Sequence, residues 1–166
     1  MTNTREMETL RPSVFDRLID DDPDNRAAEL PKSRNVLVRE LCRDVARDLS
    51  RLLNTRRGRS PVPDEIRDLR PASIDYGIRD FSGSDLGSST ARDELRAHIE
   101  QAIRRHEPRF DRVTVELLKN SDAADRTLRL RIDALLRADT VVEPIVFDSV
   151  VEPATGGVRV EGRFNE

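Results

Sequence analysis

Residues 103–117 read IRRHEPRFDRVTVEL, and the spacing of apolar residues changes partway along. Up to His106 the apolar positions Leu95, Ile99, Ala102 and Ile103 recur every three or four residues, the spacing of one helix face. After Pro108 the pattern of Arg112 to Leu117 alternates apolar and polar, the period of a half-buried strand. Proline disfavours the α conformation in the residue before it, so a helix should stop at Glu107. One short stretch thus predicts a helix end, a rigid corner and a strand start.

Working outward, everything upstream reads as helix or loop. RNVLVRELCRDVARDLSRLLNTRRG (34–58) places Val38, Leu41, Cys42, Val45, Leu49 and Leu52 at helical spacing, with Gly58 as the expected stop. The second helix is expected from about Thr90, with Asp93 as its capping partner. A shorter helix around Val14, Phe15, Leu18 and Ile19 has Ser13 as a cap and ends in the acidic loop DDDPDN. Pro61, Pro63 and Pro71 mark a connecting loop. Everything downstream reads as strand. LRLRIDALLR (128–137) alternates clearly, and PIVFDSVV and GVRVEGRF follow, joined by the turn PATGG. Helices first and four strands afterwards predict an α+β fold, with the helices packed on one face of a small, mainly antiparallel sheet. The expected division is one domain over 1–166, with a leader (1–9), a short helix and acidic loop (10–33), a helical part (34–107) and a sheet part (108–166).

Charged residues make up 37% of the chain against 36% hydrophobic, so the core is thin and the surface ionic. A net charge of −3 gives no field that would draw the chain to nucleic acid or an anionic membrane. Of 29 basic residues only Lys32 and Lys119 are lysines; arginine suits paired carboxylates and interfaces, although a genomic codon bias produces the same pattern. Cys42 is the single cysteine, which precludes an internal disulfide, and it reads as a small buried hydrophobe. No apolar run nears the ~20 residues of a membrane span, and the reading is a cytoplasmic, soluble chain.

Two readings compete at Glu107-Pro108-Arg109. A glycosidase would use Glu107 as acid, with Asp111 or Glu116 nearby. Against that, Arg109 two residues away favours the charged carboxylate, the wrong form for a general acid. The chain also has no tryptophan and one tyrosine, few platforms for a sugar ring. His98 and His106 do not make a metal site, and no phosphate loop or nucleophile elbow occurs, so no catalytic residue, cofactor, metal or small-molecule substrate is expected. In the second reading, Pro108 stiffens a two-pronged contact in which Glu107 and Arg109 pair with another protein. The plainer version is internal, with Arg109 on its own helix's last carbonyls and Glu107 on Arg104 or Arg105. IDYGIRDF (74–81), with Asp75, Tyr76 and Gly77, is either a docking loop or a connection anchored by Tyr76 and Phe81.

LRPSVFDRLIDDDP, VRELCRDVARDLSRLLNTRR, ASIDYGIRDF and IRRHEPRFDRVTVEL, in that order and spacing, resemble the TssE-type baseplate wedge subunits of type VI secretion systems. These are grouped with the phage gene 25-like wedge proteins once labelled lysozyme-like. The loop departs from the family pattern, Asn-Tyr-Gly with a proline two residues on, by having Asp75 and Arg79. The resemblance implies a structural adaptor that binds other wedge subunits (TssF, TssG and TssK types) and the contractile sheath (TssB and TssC types) at the cytoplasmic face of the inner membrane. It implies that Glu107, Pro108, Arg109, Asp75, Tyr76 and Gly77 serve contacts between subunits. Because sheath subunits of that family join by strand exchange, residues 128–137 are expected to offer an edge strand, with Arg129 and Arg131 facing acidic partners. The alternative is that this strand is central and another forms the edge. A regulatory adaptor on the same fold is a further reading.

Overall fold

The computed structural model describes residues 18, 33–58, 75–81, 86–120, 127–138 and 141–163. The leader, most of the expected short helix, its acidic loop and the proline loop lie outside the described residues. Two helices, α1 (Arg34–Asn54) and α2 (Ser89–His106), precede four strands, β1 (Phe110–Leu118), β2 (Leu128–Ala138), β3 (Val141–Glu152) and β4 (Gly157–Arg163). The strands form one antiparallel sheet in the order β1-β2-β3-β4. The α+β class read from the sequence is the class observed.

Both helices cover the same sheet face, α1 along β4 and α2 along β1. α1 presents Cys42, Val45, Leu49, Leu52 and Leu53, and α2 presents Leu95, Ile99, Ala102 and Ile103. They meet the inward residues Val113 and Val115 of β1, Leu130, Ile132, Ala134 and Leu136 of β2, Ile145, Phe147 and Val151 of β3, and Val158 of β4. Cross-strand register puts Val115, Ile132 and Phe147 in one row on that face, as the period of two requires. Ser149 lies in the same face between Leu130 and Val160, with a hydroxyl that finds no partner among the described residues. Burial raises the Cys42 thiol, with Glu143 adding to the effect, to about 11, so it stays protonated and behaves as a hydrophobe.

Three sequence expectations change. α1 ends at Asn54 rather than at Gly58, because Thr55 turns extended and both its N–H and its hydroxyl donate back to the last carbonyls of the helix. α2 starts at Ser89 behind Ser88, and no side chain caps it, so the Thr90–Asp93 pairing does not form. β2 is paired on both sides, to β1 and to β3, and is therefore central; the edges are β1 and β4. A central strand has no free N–H and C=O ladder to offer, which removes residues 128–137 as a strand-accepting edge. Arg129 and Arg131 remain exposed on the sheet face away from the helices, where Arg131 Nε donates to Asp133 at 3.1 Å.

Candidate functional site

Pro108 does at the end of α2 what the sequence requires. Glu107 leaves the helix with φ −116° and ψ 84°, and its N–H closes the last turn on Ile103. That conformation turns the Glu107 side chain inward, where it is 5% exposed. Its carboxylate accepts the Arg109 main-chain N–H at 3.1 Å, Arg109 Nε at 2.6 Å and Nη2 at 2.5 Å. Arg109 Nη2 also donates to Asp48 of α1 at 2.7 Å. The Glu-Pro-Arg corner therefore closes on itself and on α1, a pairing that neither Arg104 nor Arg105 shares. Burial pulls the Arg109 guanidinium toward its neutral form, but the bonds and charges of Glu107, then Asp48, outweigh it and raise its pKa.

On the other side of this corner lies the segment 75–81. Ile78 donates to Thr55 O at 2.9 Å and accepts from Arg57 N at 2.8 Å, a short parallel bridge that stitches it to the end of α1. Gly77 sits at φ +106°, and a Cβ there would lie 2.4 Å from Thr55 O, so only glycine fits this approach. Asp75 is 4% exposed, and its carboxylate is paired with Arg57 at 2.9 Å and with Arg105. His106 Nε2 donates to the Asp75 main-chain oxygen at 3.1 Å, and its ring meets Tyr76 edge-on at 5.3 Å. Burial lowers the His106 pKa, although the carbonyl and charge of Asp75 oppose it. Burial, then Asp48 and Glu107, raise that of Tyr76. His106 is thus half-buried and bonded rather than solvated. Phe81 anchors the segment in the core, as the sequence suggests, and Arg56 stacks on its ring at 4.8 Å while donating to Leu53 and Gly156 carbonyls.

The site residues named from the sequence therefore fall into two places. Glu107, Pro108, Arg109, Asp75, Tyr76 and Gly77 come together at one end of α2, linked by His106. Arg129 and Arg131 lie on the far face of the sheet. Sequence reasoning missed Asp48 and Arg57 and gave Arg105 to Glu107 rather than Asp75; Asp48 lies 61 positions from Arg109, and Arg105 lies 30 from Asp75.

The two sheet edges differ. On β1, α2 bonds three of the outward groups: Arg96 Nη1 donates to Val115 O at 3.3 Å, Val115 N–H donates to Glu100 at 3.1 Å, and Arg104 Nη2 donates to Val113 O at 3.0 Å. Arg96, Glu100 and Arg104 are spaced by four and pair with one another, so one helix stripe covers the strand. On β4, Asn54 closes only the first outward position, donating to Val158 O at 2.7 Å and accepting from Val158 N at 3.0 Å. Outward groups alternate along an antiparallel strand, so those of Val160 and Gly162 follow, and they have no hydrogen-bond partner among the described residues.

A comparison with curated proteins gives no match. Among solved structures, one chain of "The baseplate complex from the type VI secretion system" is similar at 17% identity with a TM-score of 0.47, over 69% of this chain and 96% of that one. The family described as "Baseplate wedge protein gp25" matches residues 39–141, from α1 through the Asp75–Gly77 and Glu107–Arg109 sites to the start of β3. That span is more than half of the sequence, and the chain belongs to the baseplate wedge protein gp25 family.

Proposed function

We propose that this chain is a non-enzymatic structural subunit of a type VI secretion baseplate, the TssE-type wedge component. In this role it binds other wedge subunits (TssF, TssG and TssK types) at the end of α2 and seeds the TssB–TssC-type sheath from its sheet. The assembly would sit in the cytoplasm against the inner membrane. The observation that carries the reading is the family match across residues 39–141. The site geometry agrees with it. Asp48 is brought beside Glu107, but the Arg109 guanidinium is bonded to both carboxylates, in the space that a glycosidic oxygen would need.

The sheath contact is assigned to β4 rather than β2. An incoming strand needs unpaired main-chain groups, and those of Val160 and Gly162 are without partners among the described residues, whereas on β1 the α2 stripe of Arg96, Glu100 and Arg104 lies across Val113 and Val115 in the middle of the strand. Gly162→Pro removes one outward N–H without deleting a side chain. The expected result is a folded protein that still co-purifies with wedge subunits but no longer nucleates sheath. Sheath polymerisation at the parent rate would refute strand addition. Failure of the parent chain to bind any wedge subunit would refute the baseplate role itself.

A further inference from the structure

Beside the Asp75 cluster, a cleft of about 110 Å³ is lined by Arg57, Arg79, Arg105, His98, Gln101 and His106. Three guanidinium groups thus face a space that holds one carboxylate, Asp75. Arg57 and Arg105 are committed to that carboxylate, but Arg79 is exposed and makes no ion pair with any described residue. The side chains of His98 and Gln101 have no hydrogen-bond partner among the described residues either. Asp75 is 4% exposed and already shared by two cations, so it cannot neutralise a third. The cleft carries an excess of positive charge and of hydrogen-bond donors.

The cleft continues along α2 into a second pocket of about 180 Å³, with which it shares Ile78, Arg79 and His98. There the apolar side chains of Ile78, Phe81, Leu86, Ala91 and Leu95 share the wall with polar ones. Glu94 and Asp80 are among that lining, so the positive excess is confined to the Arg57–Arg79–Arg105 end. A ligand matched to both halves carries a carboxylate beside an apolar side chain.

We propose that this groove is a receptor for a short segment of a neighbouring wedge subunit, in which an Asp or Glu enters the arginine end and an adjacent apolar side chain fills the pocket under Phe81 and Leu86. Arg79 supplies the charge-assisted bond, because it is the lining arginine without an internal partner among the described residues. Arg57 and Arg105, fixed by Asp75, shape the potential around it. The proposal rests on the baseplate role and adds the binding chemistry to it.

The test uses the full chain co-expressed with the wedge subunits of its own type VI system. Arg79→Glu should leave the thermal midpoint unchanged, since nothing described depends on that side chain for folding. It should weaken wedge binding by at least roughly 30-fold, the lower end of the cost of opposing a buried interfacial charge. A photo-crosslinking residue at the exposed Gln101 should capture a partner segment in which an acidic residue adjoins an apolar one. Unchanged binding by Arg79→Glu, no crosslink from a parent that binds, or a crosslink to a segment without a carboxylate would each overturn the groove assignment while leaving the baseplate role standing. A parent chain that binds no wedge subunit would overturn both.

Discussion

Replacing Glu107 by Gln tests whether the Glu-Pro-Arg corner holds the chain together before it meets any partner. The isostere keeps an oxygen for the Arg109 N–H and Nε, at 3.1 and 2.6 Å, but turns an amide NH₂ toward Nη2, which now donates at 2.5 Å. One charge-assisted bond is lost, worth about 1.5–3 kcal/mol. Removing a fully buried ion-pair partner would cost about 3–5 kcal/mol. Arg109 is not fully buried, its side chain being 23% exposed, and it retains Asp48 at 2.7 Å, so the lower range applies. The expected destabilisation is about 2 kcal/mol in urea unfolding followed by circular dichroism. Asp48→Asn should cost less, roughly 1 kcal/mol, because Asp48 is itself partly solvated. The two effects should couple in a double-mutant cycle, since both carboxylates hold one guanidinium. A loss below about 0.5 kcal/mol in Glu107→Gln, with no coupling to Asp48, would refute the internal role and return the corner to a purely intermolecular one.

Gly77→Ala should destabilise by about 3 kcal/mol in the same assay, from the strained φ of +106° and the 2.4 Å approach to Thr55 O, and a change under 1 kcal/mol would mean the 55–78 bridge is dispensable. His106 has a folded pKa below the ordinary 6.5, so the unfolded chain binds more protons as pH falls; its contribution is intact above about pH 6.5 and is lost as pH drops through 6.5 toward the lower folded value. His106→Gln should accordingly flatten the fall in stability between about pH 7 and 5, and an unchanged slope would exclude this residue as its source. Glu100→Ala should cost roughly 1–2 kcal/mol and uncover the Val115 N–H on β1, giving concentration-dependent self-association in light scattering. A variant that stays monomeric would show that α2 is not what closes that edge.

The helix end at Pro108, the change of period and all four strands were legible in the sequence, because each rests on local sterics or on side-chain alternation. What was not legible is which cation meets which carboxylate. With 29 Lys and Arg against 32 Asp and Glu, every acidic residue has nearby candidates in sequence, and the choice is made by tertiary distance. Glu107 has Arg104 and Arg105 on the preceding helical turn, yet the pre-proline conformation swings it to Arg109 and toward Asp48, 61 positions from that arginine. The stop of α1 was missed for a similar reason. Gly58 is a good stop signal, but the parallel bridge to Ile78 already requires extended backbone at 55–57. The central place of β2 did carry a signal, since consecutive strands joined by short connections pair in order, and only residues 139–140 separate β2 from β3.

The unequal treatment of the two edges follows from which helix lies over each. α2 runs beside β1 and carries long charged side chains at positions 96, 100 and 104, which bond the outward groups of Val115 and the Val113 carbonyl. α1 runs along β4, but its stripe there is apolar and it ends at Asn54, whose short amide reaches Val158 and no further. A stripe of Arg and Glu blunts an edge because it fills the main-chain groups and places charge where a second strand would approach. A single terminal amide fixes only where the free part of an edge begins. In the proposed role, an added strand would start at Val160 on β4, and the end of α2 would be left for side-chain recognition. A subunit that must join unlike partners in a fixed order benefits from that separation, because main-chain pairing and charge-based docking cannot then compete for one surface.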